Sequence, residues 1–108
     1  MNKVLLVGRV ASDVATQSMP GQTVVRTFDM ATNEKEKTDF HSIISYGKVA
    51  DIVSFLRKGD PVFIEGKIQT RFWYDKQNEK RRELEIVAWT VFPLKGRDET
   101  VADDAARS

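Results

Sequence analysis

From Pro61 to Tyr74 the chain reads PVFIEGKIQTRFWY, a long alternation that limits what the rest can fold into. Val62, Ile64, Gly66, Ile68 and Phe72 share one phase, interrupted only by Thr70. Glu65, Lys67, Gln69, Arg71 and Trp73 share the other, behind a leading Phe63. A period of two over this length predicts a strand with one face on a core and one in water. The water-facing phase is unusual, because it sets Lys67 and Arg71 in line with a large aromatic. Cations interleaved with aromatics suit a polymer that presents both phosphates and flat bases. An ordinary amphipathic strand, its Trp73 packed beneath a loop, carries the same letters.

The stretches on either side supply matching elements. Val4 to Val10, VLLVGRV, is apolar on both faces, which predicts a central strand or one that pairs with another subunit. Gly8 within it marks a bulge or a close backbone approach. A loop of small and polar residues follows, turning at Met19-Pro20-Gly21-Gln22, where Gly21 is free to take the positive φ of a type II turn. Thr23 to Thr32 alternates imperfectly, with Val24, Phe28 and Met30 on one side and Val25, Thr27 and Asp29 on the other. Asn33 to Lys37 is a short charged connection. Thr38 to Tyr46 is a further strand, with Phe40, Ser42, Ile44 and Tyr46 on one face and His41, Ile43 and Ser45 on the other.

The period then changes. Val49, Ile52, Val53 and Leu56 fall at the spacing of an amphipathic helix. Asp51 in its first turns and Arg57 and Lys58 at its end suit the dipole, and Gly59 suits the position just beyond. Pro61 blocks continuation. Asp75 to Glu79 holds turn residues, and Arg82 to Leu94 reads as a last strand. Three strands, one helix and a two-strand hairpin is the element order of the OB barrel. The expected fold is therefore all-β, a five-stranded OB-fold barrel with one short helix between strands three and four. Residues 1–96 form the one domain, and 97–108 a short acidic tail expected to be disordered.

A chain of 108 residues supports one core. Its 41% apolar and 31% charged content fits a soluble globular protein. The apolar run Val4 to Val7 is too short for a signal segment or a membrane span, so an intracellular, cytoplasmic protein is expected. The absence of cysteine excludes disulfides, thiolate metal sites and a cysteine nucleophile. The net charge of +1 hides an asymmetry: residues 97–108 carry −2 and the first 96 carry +3. A mildly basic fold beside an acidic tail is compatible with a polyanionic partner.

Enzyme readings find little support. His41 is the sole histidine, and neither Gly47-Lys48 nor Gly66-Lys67 completes a phosphate-binding loop. The carboxylates are scattered. No catalytic residue, metal or cofactor is expected. A binding surface has more behind it. Phe40, Tyr46 and Trp73 lie on strands that neighbour one another in such a barrel, with Lys48, Lys58, Lys67 and Arg71 close along the chain. Each aromatic taken singly is an ordinary core residue of a small barrel. Their shared outward phase argues otherwise.

The segments NKVLLVGRV, FDMATNE, TDFHSIISYGKVADIVSFLRKGDPVFIEGKIQTRFWYD and ELEIVAW closely resemble bacterial single-stranded DNA-binding proteins, in order, over roughly Met1 to Gly96. The resemblance implies an OB fold without catalysis that captures single-stranded DNA irrespective of sequence in replication, recombination and repair. It also implies that Phe40, Tyr46 and Trp73 stack on bases, with Phe40 where tryptophan is usual and Tyr46 where phenylalanine is usual. Lys48, Lys58 and Arg71 match basic positions along the DNA path. His41 and the strand around Val4, Leu5, Leu6 and Val7 match a subunit interface, the family usually forming homotetramers. A histidine satisfied within the core would look the same.

Three departures qualify this. The connection Asn33 to Lys37 is shorter than usual and lacks a stacking aromatic. Ser42 replaces an arginine and Asp29 adds an anion, both weakening phosphate attraction. The tail has acids but no apolar tip, which puts recruitment of replication and repair enzymes through it in doubt. A compact phage, plasmid or mobile-element version is the expectation. The competing readings are a dimeric primosomal accessory protein of the same fold and a protein–protein adaptor that does not touch DNA.

Overall fold

The computed structural model describes residues 1–94 apart from Met19 and Gln22. The expected tail, 97–108, lies outside the described residues. Six strands and one helix follow in the order β1 (Val4–Val10), β2 (Ala15–Ser18), β3 (Val24–Glu34), β4 (Lys37–Tyr46), α1 (Gly47–Val53), β5 (Pro61–Tyr74) and β6 (Lys80–Pro93). The sheet runs β1-β5-β6-β4-β3-β2, and β1 also pairs with β3 through Arg9↔Ala31 and Val10↔Met30. That pairing closes β1, β5, β6, β4 and β3 into the expected five-strand ring. All neighbours are antiparallel except β4 and β6, whose parallel contact at Ile43↔Ile86 requires the long crossover made by α1 and β5.

The short β2 is an addition. The sequence ATQS carries no hydrophobic alternation and reads as loop, and its residues are all exposed. It is a strand because the backbone of β3 offers it an edge, from Ala15↔Thr27 to Ser18↔Val24.

The core is made of the inward phases of the ring. Met30, Ile43, Val62, Ile64 and Val10 are essentially sealed from water, and Phe28, Ile86 and Val91 complete the layer. Burying each of these side chains fully contributes about 1.5–3 kcal/mol. Val25, on the outward phase of β3, is buried as well, flanked by Gln17 on β2 and Tyr46 on β4.

α1 plugs the barrel against β3, β4 and β6. It is shorter than the apolar stripe suggests. Ala50 and Val53 are its buried residues, Ile52 is exposed, and Leu56 is buried from the turn that follows. Arg57 and Lys58 consequently lie beyond the last helical turn, and Asp51 outside the first, so neither end is charged as expected. Gly59 does take a positive φ of 97°, but as part of the turn into β5. There its amide donates to the Val10 carbonyl at 2.8 Å and its carbonyl accepts from Arg9 at 2.9 Å.

Two glycines are places where backbones approach. A Cβ on Gly8 would fall well inside contact distance of the Ala31 carbonyl, and one on Gly66 would do the same to the Val87 carbonyl. The second sits at a register shift, where Glu65 faces Thr90 but Gly66 faces Ala88, leaving Trp89 as the extra residue of a bulge.

Beyond Gly66, β5 and β6 leave the barrel as a two-stranded arm. The alternation of the sequence continues, but the barrel no longer lies behind it. Ile68, Phe72 and Leu84 are therefore exposed, although their phase is the one that is buried from Val62 to Gly66.

Candidate nucleic-acid interface

The registers set the outward face residue by residue. Phe40 pairs with Ala31, Ser42 with Asp29, Ile44 with Thr27 and Tyr46 with Val25 across β3–β4. Ile44 lies beside Val87 of β6, and Val87 beside Lys67 of β5. Continuing at a period of two, Glu85 faces Gln69, Glu83 faces Arg71 and Arg81 faces Trp73. Phe40, Tyr46, Lys67, Arg71 and Trp73 thus share one continuous outer surface spanning β4, β6 and β5. Exposure agrees: 68% for Phe40, 42% for Tyr46 and 37% for Trp73. A concavity of about 430 Å³ crosses the same surface, lined in part by Gln17, Thr27, Asp29, Ser42, Arg71 and Glu85.

The charges on this face are partly spent. Arg71 donates to Glu83 at 2.8 Å, lies 3.6 Å from a Glu85 oxygen, and covers one face of the Trp73 ring at 4.5 Å. Glu83 and Glu85 escaped the sequence reading. A hairpin turning over Asp75–Glu79 pairs Tyr74 with Lys80, and counting back from there sets Arg71 opposite Glu83. The acids turn Arg71 from a free phosphate-seeking cation into a braced support for the indole, which is itself 37% exposed. Lys48 and Lys67 have no carboxylate at ion-pair distance among the described residues.

Lys48 follows Tyr46 closely, in the first turn of α1. Lys58 lies in the turn at the Pro61 end of β5, whereas Trp73 is near the other end, and a strand of 14 residues separates the two ends.

The tip of the arm is pinned by Asp75. Its carboxylate accepts from the amides of Gln77 at 3.0 Å and Glu79 at 2.9 Å, and from Arg81 Nε at 2.7 Å. The Glu79 amide first, then Arg81, hold its pKa below the ordinary 3.8. A carboxylate with a depressed folded-state pKa stabilises at every pH above its unfolded value, and that contribution is lost only as pH falls through the lower folded value. The tip is therefore expected to stay ordered throughout the ordinary carboxylate range and to loosen only at pH below it. Asp75→Ala is expected to speed hydrogen exchange at the Gln77 and Glu79 amides at neutral pH while leaving β1 and β3 protected. Unchanged exchange at those two amides would show that the turn holds without the carboxylate.

His41 and β1 lie elsewhere. His41 occupies the inward phase of β4, partly buried, with Nε2 2.9 Å from Thr32 Oγ1. Val4 and Leu6 pack against the core, while Leu5 and Val7 stand outward at 60% and 62% exposure. β1 pairs with β5 along Val4–Arg9, but its other edge meets β3 only at Arg9 and Val10, so from Val4 to Gly8 that edge has no partner strand among the described residues. The connection expected to be short is so: β3 ends at Glu34, β4 starts at Lys37, and Lys35 turns the chain at a φ of 57°. Asp29 and Ser42 both project onto the outer face, Ser42 with its hydroxyl 3.4 Å from Glu83.

The family model described as "Single-strand binding protein family" matches residues 1–94. The chain belongs to that family. The structure is also similar to the Plasmodium falciparum SSB in its complex with ssDNA. The TM-score is 0.81 and the identity 32%, over 88% of this chain and 96% of that one. Single-strand binding proteins act by binding, and an outer face of exposed rings on a closed barrel is consistent with that. Among the described residues, no group of three or more His, Asp or Glu side chains is placed to hold a metal ion, and no helix is long and apolar enough to cross a membrane.

Proposed function

We propose that this chain binds single-stranded DNA irrespective of sequence and covers it during replication, recombination and repair. The observation that carries the proposal is the common outward phase of Phe40, Tyr46 and Trp73 on an OB barrel of the single-strand binding family. Bases stack on these three rings, each worth about 1–3 kcal/mol, and every base has a π-face to offer. Lys48 and Lys67 supply phosphate contacts, with Arg71 fixing the indole and contributing the remainder of its charge. Lys58 serves only a strand that continues around the barrel. No step of covalent chemistry is involved.

The proposal includes self-association. The open edge of β1, flanked by Leu5 and Val7, suits pairing with the same strand of a second copy, and His41 with Thr32 lies on the neighbouring inward face. A homotetramer is the assembly proposed, and light scattering decides it. A dimeric mass would favour the primosomal accessory reading.

Oligo(dT) titrated against the protein, beside a duplex of equal length, tests the DNA reading. Tight binding of the single strand is expected, weakening by about 0.7 log units per released phosphate contact for each log unit of salt. Duplex is expected to bind far more weakly, since its bases are already stacked. Equal binding of the two would overturn the stacking mechanism, and no binding of either would favour a protein–protein adaptor.

A further inference from the structure

The arm formed by β5 and β6 has two faces, and only one belongs to the surface just described. The reverse face carries Ile68, Thr70, Phe72 and Tyr74 from β5, opposite Ile86, Leu84, Arg82 and Lys80 from β6. Near the barrel a hollow of about 290 Å³ reaches from this face to the front one, lined by His41, Ile68, Leu84 and Ile86 of the reverse phase and by Phe40, Ser42 and Glu83 of the front. Phe72 is 55% exposed and Tyr74 66%. Lys80 Nζ lies 4.6 Å from the Phe72 ring centroid, a cation over an aromatic as in the Arg71–Trp73 pair on the front.

The charges divide cleanly between the faces. Glu83 and Glu85 occupy the front with Arg71 and Arg81, and both arginines are tied to carboxylates. The reverse face has Lys80 and Arg82 and no carboxylate in its phase, and neither cation has an ion-pair partner among the described residues. The more basic face of the arm is the one behind Trp73. The way round to it is open. β1 covers β5 only as far as Gly66, and the Asn2 side chain caps the edge at Ile68 with bonds of 2.7 and 3.0 Å. From Gln69 to Tyr74 that edge of β5 has no partner strand among the described residues.

We propose that the reverse face of the arm is a second platform for single-stranded DNA, so that one strand stacks on Trp73, crosses the free edge of β5 and stacks again on Phe72 and Tyr74. Lys80 and Arg82 meet its phosphates there. The proposal rests on the single-strand reading of the front face and extends it. Aromatic area flanked by unpaired cations fits a polyanion with exposed bases better than it fits an apolar partner, which would leave both charges without a counterion.

The test compares oligo(dT) of about 8 nucleotides with one about twice as long, using labelled strands and Phe72→Ala, Phe72→Tyr and the double variant Lys80→Glu/Arg82→Glu. The longer strand is expected to lose about tenfold in affinity with Phe72→Ala and to recover with Phe72→Tyr, while the shorter strand binds all variants as it binds the wild type. For the longer strand, the double variant is expected to flatten the dependence of log affinity on log salt by about 1.4. Wild-type affinity for both lengths in every variant would overturn the second platform while leaving the front face intact. An equal loss at both lengths would also overturn it, assigning Phe72 to the support of Trp73. A changed molecular mass in the double variant with unchanged DNA binding would make this face a contact between copies. If the wild type binds neither length, the failure lies with the front-face reading itself.

Discussion

Replacing Gly66 by alanine is expected to lower the thermal midpoint by roughly 15 °C. The added methyl would be driven into the Val87 carbonyl and its carbon, which are backbone atoms of the paired strand and have no rotamer to escape into. Overpacking in a well-packed core costs typically about 1–3 kcal/mol, and a clash with a hydrogen-bonded ladder belongs at the upper end. For a domain of this size each kcal/mol moves the midpoint by about 4–8 °C, and the whole stability is only about 5–15 kcal/mol. The same position faces the bulge at Trp89 of β6, where the barrel gives way to the arm, so the damage reaches both parts. Differential scanning calorimetry of Gly66→Ala beside the wild type measures it. A shift under about 3 °C would show that the bulge relaxes to take a side chain.

Trp73→Ala is expected to weaken binding of oligo(dT) by about 10- to 100-fold, whereas Trp89→Ala should stay within about twofold. Both indoles are partly exposed, at 37% and 48%, so exposure does not separate them. Position does. Trp73 lies in the outward phase with Phe40 and Tyr46 and is backed by Arg71 at 4.5 Å. Trp89 is the unpaired residue of the bulge, outside the regular register of β5 and β6 and, among the described residues, without a cation over its ring. Because removing either tryptophan changes the intrinsic fluorescence, affinity is best read from the anisotropy of a labelled strand. Equal losses would put the DNA path across the bulge and away from the arm.

Much of this was legible from the letters. β1 and β5 begin and end where the apolar pattern places them, and the two faces of β4 separate as their period of two requires. Gly8 is the close approach it suggested. What escaped depended on neighbours. β2 has no pattern of its own and is a strand only because β3 has an edge to share. α1 stops before its apolar stripe does, since Leu56 reaches the core from a turn as well as it would from a helix. Ile68 and Phe72 keep the phase of buried residues but have run past the end of the barrel. Strand period reports which side a residue faces, not whether anything is there. The pairing of Arg71 with Glu83 was open to counting from the turn, because hairpin register follows from loop length.

The arm is continuous with the barrel. β5 passes from core to tip as one strand, and β6 runs beside it from Tyr74↔Lys80 down to Val62↔Pro93, interrupted once, at the bulge opposite Gly66. A molecule that drags on the tip therefore pulls along the ladder, loading its hydrogen bonds together in shear instead of opening them one at a time. Mechanical tension borne by a held strand would pass straight into the barrel, and the arm would behave as a stiff lever.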